Sequence, residues 1–382
     1  MPQRRVRAVF MRGGTSRCLF FHAADLPEDA RERDQILLAA LGSPDPYGRQ
    51  LDGLGGGISS LSKAVIVGST SRPDADLDYT FAQVSVTEPL VDYRGNCGNC
   101  TSAVGPFAID ERLVPAVEPF TAVRLHNTNT KKLVVARVPV ASGEAAIEGD
   151  FELPGVPGRA ARIALDFLDP GGAATGKLLP TGRQRDTLDV SGVGAIEASL
   201  VDATNPVVFV RAGELGLLGT EAPEAIDRDS ALLERLEAIR AAGARRMGIP
   251  GSPAIPKIAL VGPAAGYRSL DGREVGLQKV DLVARVISMG QCHRAFALTA
   301  AMCLAVAARI DGTVVSECVS PSALSPSPLS SPPGDIRLGH PSGILPIAAR
   351  VGRDASGVAV ARQVTVYRTA RRLMEGFVRI PA

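Results

Sequence analysis

The chain has 382 residues and a mass of 39.8 kDa, enough for two cores of roughly 150–200 residues each. Apolar residues at 45% and charged residues at 21% suit a folded globular protein, and 42 Lys+Arg against 40 Asp+Glu leave a net charge of +2, so charge gives no reason to expect a nucleic-acid or anionic-membrane partner. Aromatics at 4% and the absence of Trp argue against base-stacking platforms, while 40 Gly and 28 Pro favour short strands and turns over a helical bundle.

In chain order, strands are predicted over 6–10 and 17–21, around the turn Arg12-Gly13-Gly14-Thr15-Ser16. Asp25-Leu26-Pro27 opens a helix to about Leu41, which Gly42 ends. Strands follow over 63–67 and 80–86, then a helix of small, apolar residues over 98–113 that Pro106 should kink or stop early. Further strands are expected over 122–125, 132–138 and 145–148, and the second half repeats the style at 198–201, 207–210, 258–261, 281–287 and 343–351. An amphipathic outer helix is read over 230–242. A longer helix over 289–310 is apolar nearly all round from Ala295 to Ala307, too short to span a bilayer, so protein must surround it. Strands wrapped round one central helix, once per half, would supply those surroundings. The Ser/Pro-rich stretch 320–333 is a low-complexity loop, either a regulatory tail or a tolerated surface insertion.

The N-terminus has basic residues with no apolar stretch behind them, so a cytoplasmic location is expected. The six cysteines (Cys18, Cys97, Cys100, Cys292, Cys303, Cys318) are then expected to be mostly reduced.

Four segments could carry chemistry. Asn96-Cys97-Gly98-Asn99-Cys100 stands directly before a helix. There a thiol meets unpaired N–H groups and the positive end of the helix dipole, which favour the thiolate and would also hold a substrate carboxylate. Cys97 and Cys100 also form a C-x-x-C; the plain alternative is two small buried thiols, and the βαβ unit a redox pair needs is not evident. Leu54 to Lys63 is a Gly/Ser loop without phosphate-loop spacing, ending in a lysine at the start of an apolar strand. Desolvation there would turn Lys63 into a usable base; otherwise it is a snorkelling surface lysine. Arg12 to Ser16 combines a cation, two glycines and two hydroxyls, which suits a carboxylate-binding turn. Gly339-His340-Pro341-Ser342-Gly343 holds an imidazole and a hydroxyl on a rigid turn, or a structural histidine. Four histidines without Cys/His clustering give no metal site.

Together these segments resemble the PrpF, or 2-methylaconitate cis-trans isomerase, family, relatives of diaminopimelate epimerase. The resemblance runs over nearly the full length. It is carried by Met11-Arg12-Gly13-Gly14-Thr15-Ser16, Asp52-Gly53-Leu54-Gly55-Gly56 leading to Ser62-Lys63, Gly95-Asn96-Cys97-Gly98-Asn99, Leu179-Pro180-Thr181-Gly182, Ser288-Met289-Gly290, Gly339-His340-Pro341-Ser342-Gly343 and Met374-Glu375-Gly376-Phe377-Val378. It implies an α+β, diaminopimelate epimerase-like fold of two similar domains, each a β-barrel-like sheet wrapped round a central helix, with the ligand in the cleft between them. The expected domains are 1–185 and 186–369, with a strand from about 370–382 returning to the first.

The resemblance also implies cofactor-free proton shifts on a small unsaturated di- or tricarboxylate. The first-choice substrate is 2-methylaconitate, and the alternatives are 4-oxalomesaconate tautomerisation and methylitaconate double-bond migration. A non-catalytic accessory protein for a dehydratase partner is the reading from a different class, and a homodimer is a possible assembly. The family's catalytic lysine and cysteine map onto Lys63 and Cys97. Gly98 and Asn99 would stabilise enolate charge through backbone N–H groups. Arg12, Thr15, Ser16, Ser62, Met289, Gly290, His340, Ser342 and Gly343 complete the expected binding set. An epimerase would carry a second catalytic cysteine at the start of the second central helix; here that start reads Ser288-Met289-Gly290, and Cys292 falls within the predicted helix, which argues against two-thiol chemistry.

Overall fold

A computed structural model describes residues 3–381, apart from Arg94, 250–254, Met289 and 325–333. The chain divides into two compact units, Met1–Phe167 with Tyr367–Ala382, and Leu168–Val366. The sequence reading set these divisions near 185 and 370.

The first unit opens with a hairpin of β1 (Arg4–Gly13) and β2 (Ser16–His22), closed at the Gly13–Ser16 pair by Gly14, whose φ of 52° is left-handed. Helix α1 (Ala30–Leu41) follows, capped by Asp29 at one end and by Gly42, at φ 75°, at the other. β3 (Lys63–Ser69) runs parallel to β2, and β4 (Leu77–Val84) is antiparallel to β3. β4 also pairs with the short β5 (Val91–Asp92) and, in parallel, with β6 (Phe120–Asn127). β7 (Lys132–Ala141) and β8 (Ile163–Leu168) continue antiparallel, and the C-terminal strand, Ala370–Ile380, pairs with β1.

Helix α2 (Gly98–Asp110) is buried from Cys100 to Ile109 and packs on β1, β2, β6, β7 and the C-terminal strand. A side chain at Gly105 would put its Cβ 2.7 Å from the Val138 methyl on β7, so glycine lets helix and strand close up. The helix runs through Pro106 without stopping: strands on every side supply packing that outweighs the missing backbone bond.

The second unit repeats this plan. β9 (Asp186–Val190) precedes a hairpin of β10 (Gly194–Ala203) and β11 (Asn205–Arg211), which turns at Thr204 with φ 62°. The amphipathic α3 (Ser230–Met247) stands where α1 stands in the first unit, and runs past the predicted end at 242 until Gly248 stops it. β12 (Lys257–Pro263) is parallel to β11, β13 (Leu282–Ser288) is antiparallel to β12, and β14 (Gln291–Cys292) folds back on β13. β15 (Ile336–His340), parallel to β13, leads into β16 (Gly343–Arg353) and β17 (Ala359–Arg368). The buried helix is α4 (Leu298–Ala308), enclosed from Ala300 to Ala308.

α4 begins nine residues later than the helix predicted from 289. The intervening N–H groups are already taken: Cys292 N donates to Asp227 and His293 N to the Val286 carbonyl, and Gly290 turns at φ 76°. Cys292 therefore lies on a strand, which corrects its predicted place in the helix. Of the Ser/Pro-rich stretch, Pro321–Leu324 forms one helical turn, and 325–333 lie outside the described residues. Among the described residues, no helix is long and apolar enough to cross a membrane.

Candidate active site

Lys63 is the first residue of β3 and is 7% exposed. Its Nζ donates to Gln83 Oε1 at 2.5 Å across the β3–β4 pair and stands 5.1 Å from the Phe81 ring centroid. The Gln83 amide is fixed from behind, its Nε2 donating to the Ser62 and Ser59 carbonyls at 2.8 and 3.1 Å. Burial pushes the Lys63 ammonium below its ordinary range, against the opposing charge of the Cys97 sulfur. Thus the desolvated lysine read from the sequence is present, and the thiol lies within its electrostatic reach.

Cys97 is the N-cap of α2, half-buried, and makes no side-chain bond to the helix. The N–H groups of Gly98 and Asn99 in the first turn therefore keep the open donor character of a helix start. The cap is held by its neighbours. Asn96 Oδ1 accepts from the Cys97 N–H at 2.8 Å, Asn96 Nδ2 donates to the Tyr79 hydroxyl at 3.2 Å, and Thr101 Oγ1 donates to the Cys97 carbonyl at 3.0 Å. Burial pushes the Tyr79 phenol up to about 12, so it stays a neutral hydrogen-bonding group.

The β1–β2 turn meets this helix start directly. A Cβ on Gly13 would lie 2.3 Å from the Asn99 carbonyl oxygen, and one on Gly14 would lie 2.2 Å from Asn99 Oδ1. With glycines there, Ser16 Oγ comes within 4.0 Å of Cys97 Sγ, and Asn99 Nδ2 donates to Thr15 Oγ1 at 3.0 Å. Arg12 holds the same turn from outside, its Nη1 donating to the Gly14 carbonyl at 2.9 Å and to Thr369 Oγ1 at 2.9 Å. Ser62 adjoins Lys63 but is fully buried, donating to the Val84 carbonyl at 2.9 Å and accepting from Gln50 Nε2 at 2.7 Å.

The cysteines divide sharply. Cys18 on β2 and Cys100 on α2 are joined in a disulfide with a Cα–Cα distance of 6.5 Å, a correction to the expectation of reduced thiols for these two. Both are fully buried. Cys100 is therefore paired with Cys18 and not with Cys97, which stays free. In the second unit, burial raises the Cys292 thiol to about 12 and pushes Cys303 and Cys318 upward as well.

The remaining expected residues lie in the second unit. His340 and Gly343 flank the β15–β16 turn; His340 is 3% exposed and its Nδ1 accepts from the Ser342 N–H at 3.2 Å. Ser342 Oγ donates to the Arg294 carbonyl at 2.6 Å, and the Gly343 carbonyl accepts from the Tyr267 hydroxyl at 2.5 Å. Gly290 is exposed on the β13–β14 turn, and Met289 lies outside the described residues.

Sequence reasoning missed Gln83, Asn96 as a positioning residue, and Arg368. Arg368 is 7% exposed, and its Nε donates to Asn99 Oδ1 at 3.1 Å. Burial lowers its guanidinium to about 10, against the opposing charge of the Cys97 sulfur, so it remains cationic at neutral pH. Two basic side chains, Lys63 and Arg368, thus bear on one free thiol at a helix start. The alternation of β4 could have pointed to Gln83; no local signal marks Arg368.

The chain matches the family described as PrpF protein over residues 3–381. It is 44% identical to 3-methylitaconate isomerase of Eubacterium barkeri, over 98% of this chain and 97% of that protein. It is 41% identical to 2-methyl-aconitate isomerase of Shewanella oneidensis, over 100% and 98%, and 37% identical to 4-oxalomesaconate tautomerase of Pseudomonas putida, over 99% and 97%. The crystal structure of methylitaconate-delta-isomerase superposes with a TM-score of 0.90 at 43% identity, covering 100% of this chain and 96% of that one.

Proposed function

The chain belongs to the PrpF family and is an isomerase, and from that premise we propose that it moves a proton and a C=C bond in an aconitate-like unsaturated di- or tricarboxylate. The first candidate is 2-methylaconitate; 4-oxalomesaconate and methylitaconate are the alternatives, each acted on by a relative of this chain according to that relative's name. One observation carries the reading. In the first unit a desolvated lysine and a free helix-capping thiol share one electrostatic neighbourhood.

The proposed steps balance without a cofactor. Neutral Lys63 takes a proton from the carbon allylic to the substrate's double bond and becomes an ammonium. The C–H electron pair spreads through the C=C bond onto a carboxylate as a dienolate. The Cys97 thiol returns a proton at the far carbon, or at the original carbon after rotation, and becomes a thiolate. Proton transfer from the Lys63 ammonium then restores the thiol. Burial favours the neutral amine that the first step needs, and such positioned proton transfer contributes about 10²–10⁴-fold in rate. The N–H groups of Gly98 and Asn99, with the Arg368 cation, would stabilise the dienolate charge. Thr15 and Ser16 are the proposed carboxylate contacts of this unit.

Proton NMR in D2O tests the reading, with 2-methyl-trans-aconitate, 4-oxalomesaconate and methylitaconate as substrates and Lys63→Ala as control. Deuterium entering an allylic position, or a new isomer, only with the wild-type protein is the expected result. No exchange and no isomer from folded protein on any acid would overturn it.

A further inference from the structure

Away from the Lys63–Cys97 pair, the first unit gathers positive charge in one place. In the opening hairpin Arg12 on β1 stands directly opposite Arg17 on β2. On the other side of β1, Arg12 stands directly opposite Arg371 of the C-terminal strand. Three arginines thus form one row across three adjacent strands. Directly opposed residues of an antiparallel pair point to the same face, and like charges so placed destabilise a sheet. The row faces away from α2. One residue along β1, a Cβ on Gly13 would meet the Asn99 carbonyl and the Ala103 methyl of that helix, and side chains alternate along a strand. The arginines therefore lie on the other side of β1 from α2 and its Cys97 cap.

Among the described residues no carboxylate answers this charge: none of Arg12, Arg17 and Arg371 forms an ion pair, whereas the adjacent Arg372 is held by Glu111 and Glu375. Arg12 uses Nη1 on the Gly14 and Thr369 carbonyls and the Thr369 hydroxyl, and its Nε and Nη2 bond no described residue. Burial and the charge of Arg371 both hold its guanidinium below its ordinary range. Arg17 lies 5.4 Å from the Phe10 ring centroid, a contact that uses none of its N–H donors.

The row opens onto a cavity of about 600 Å³, closed on its far side by segment 147–160. That segment adds a fourth guanidinium, Arg159, and an apolar wall of Phe151, Leu153 and Val156. Glu148 is the single carboxylate on the lining, and it pairs with none of the arginines. The volume suits a small molecule. Guanidinium forks match the oxygens of carboxylates and phosphoryl groups alike. A phosphoryl group, with three acceptor oxygens and nearly two negative charges, can meet all three arginines of the row at once; a carboxylate has two oxygens and one charge.

We infer that this cavity binds a small molecule bearing a phosphoryl group, with Arg12, Arg17 and Arg371 on the phosphoryl oxygens and the apolar wall against the rest of the molecule. The site is separate from the Lys63–Cys97 pair and does not rest on the substrate class proposed above.

The probe is phenyl phosphate, a phosphoryl group on an apolar body, titrated by calorimetry into the full-length protein at physiological salt. Saturable binding is expected, weakened about tenfold or more by Arg17→Gln and by Arg371→Gln, the usual scale for losing a charged hydrogen-bond partner. Lys63→Ala should bind the probe as wild type does. No binding to wild type, or wild-type affinity in both folded arginine variants, would overturn the site. The two substitutions lie on different strands, so either decides the matter if the other fails to fold. Loss of binding in folded Lys63→Ala would place the probe at the isomerase pair and overturn the proposal. Tricarballylate binding as tightly through the same arginines would overturn the assignment to a phosphoryl group.

Discussion

Each unit starts a strand with a lysine, Lys63 in one and Lys257 in the other, braces it from the neighbouring strand through Gln83 or Ser288, and buries one helix behind it, yet the two starts of those helices are chemically unlike. In the first unit the cap is a free, half-buried cysteine with Lys63 and Arg368 bearing on it. In the second the cap is alanine, and the free thiols nearby are buried, with burial pushing them up. The turns that hold the helices differ too. Gly13 and Gly14 let the first hairpin press against the Asn99 carbonyl, whereas Thr204 anchors the second by donating from Oγ1 to the Thr299 carbonyl at 2.8 Å. The comparison teaches that the repeated fold supplies only the position. Only the first unit adds to that position a free thiol at the helix start with two basic side chains bearing on it.

The contrast breaks most decisively at the pair proposed to react, Lys63 and Cys97. Lys63→Ala and Cys97→Ser should each lower kcat by about 10²–10⁴-fold with circular dichroism and melting preserved. Near-native turnover in either variant would move the chemistry away from the first unit. Next comes the glycine turn. Gly13→Ala forces a Cβ to 2.3 Å from Asn99 O, so it should destabilise the protein by about 1–3 kcal/mol and shift the α2 start enough to reduce activity. Gly213→Ala, in the second unit, meets nothing within 4 Å and should stay within about 0.5 kcal/mol in the same denaturation assay.

A smaller effect comes from the charge on Lys63. Its folded-state value lies below the ordinary 10.5, so the unfolded chain binds that proton more readily than the folded one. The ammonium therefore weakens the fold fully below the folded value, and the penalty fades as pH rises toward 10.5. Lys63→Met should accordingly melt above wild type at pH 7, with the advantage shrinking as the pH is raised; a constant difference across that range would contradict the assignment. The mildest test is chemical. Brief iodoacetamide treatment of native protein, read by intact mass, should add one label, at Cys97, while Cys292, Cys303 and Cys318 react only after unfolding. A label on Cys292 in the native protein would erase the difference between the two units' thiols.

Much of this site could be read along the chain, because the signals are local. Gly42 as a helix stop, the Asn96-Cys97-Gly98-Asn99 run before a helix, the Gly13-Gly14 turn and the lysine opening an apolar strand all depend on neighbours a few residues away, which is the reach of backbone preference. The buried helices were legible for the same reason, since an all-apolar helix must be enclosed. Their limits were not: Pro106 fails to stop α2, and α4 starts at Leu298, because strand pairing and Asp227 claim the preceding N–H groups. The partners that finish the site came from long-range folding. Gln83 reaches Lys63 across 20 residues through strand register, Cys18 reaches Cys100 across 82, and Arg368 reaches Asn99 across 269. Residue type and short spacing thus determined which groups could react and where helices and turns would form. The strand pairings and helix packing decided which of those groups meet, because a contact between distant residues is set by the energy of the whole fold and leaves no mark in the local sequence.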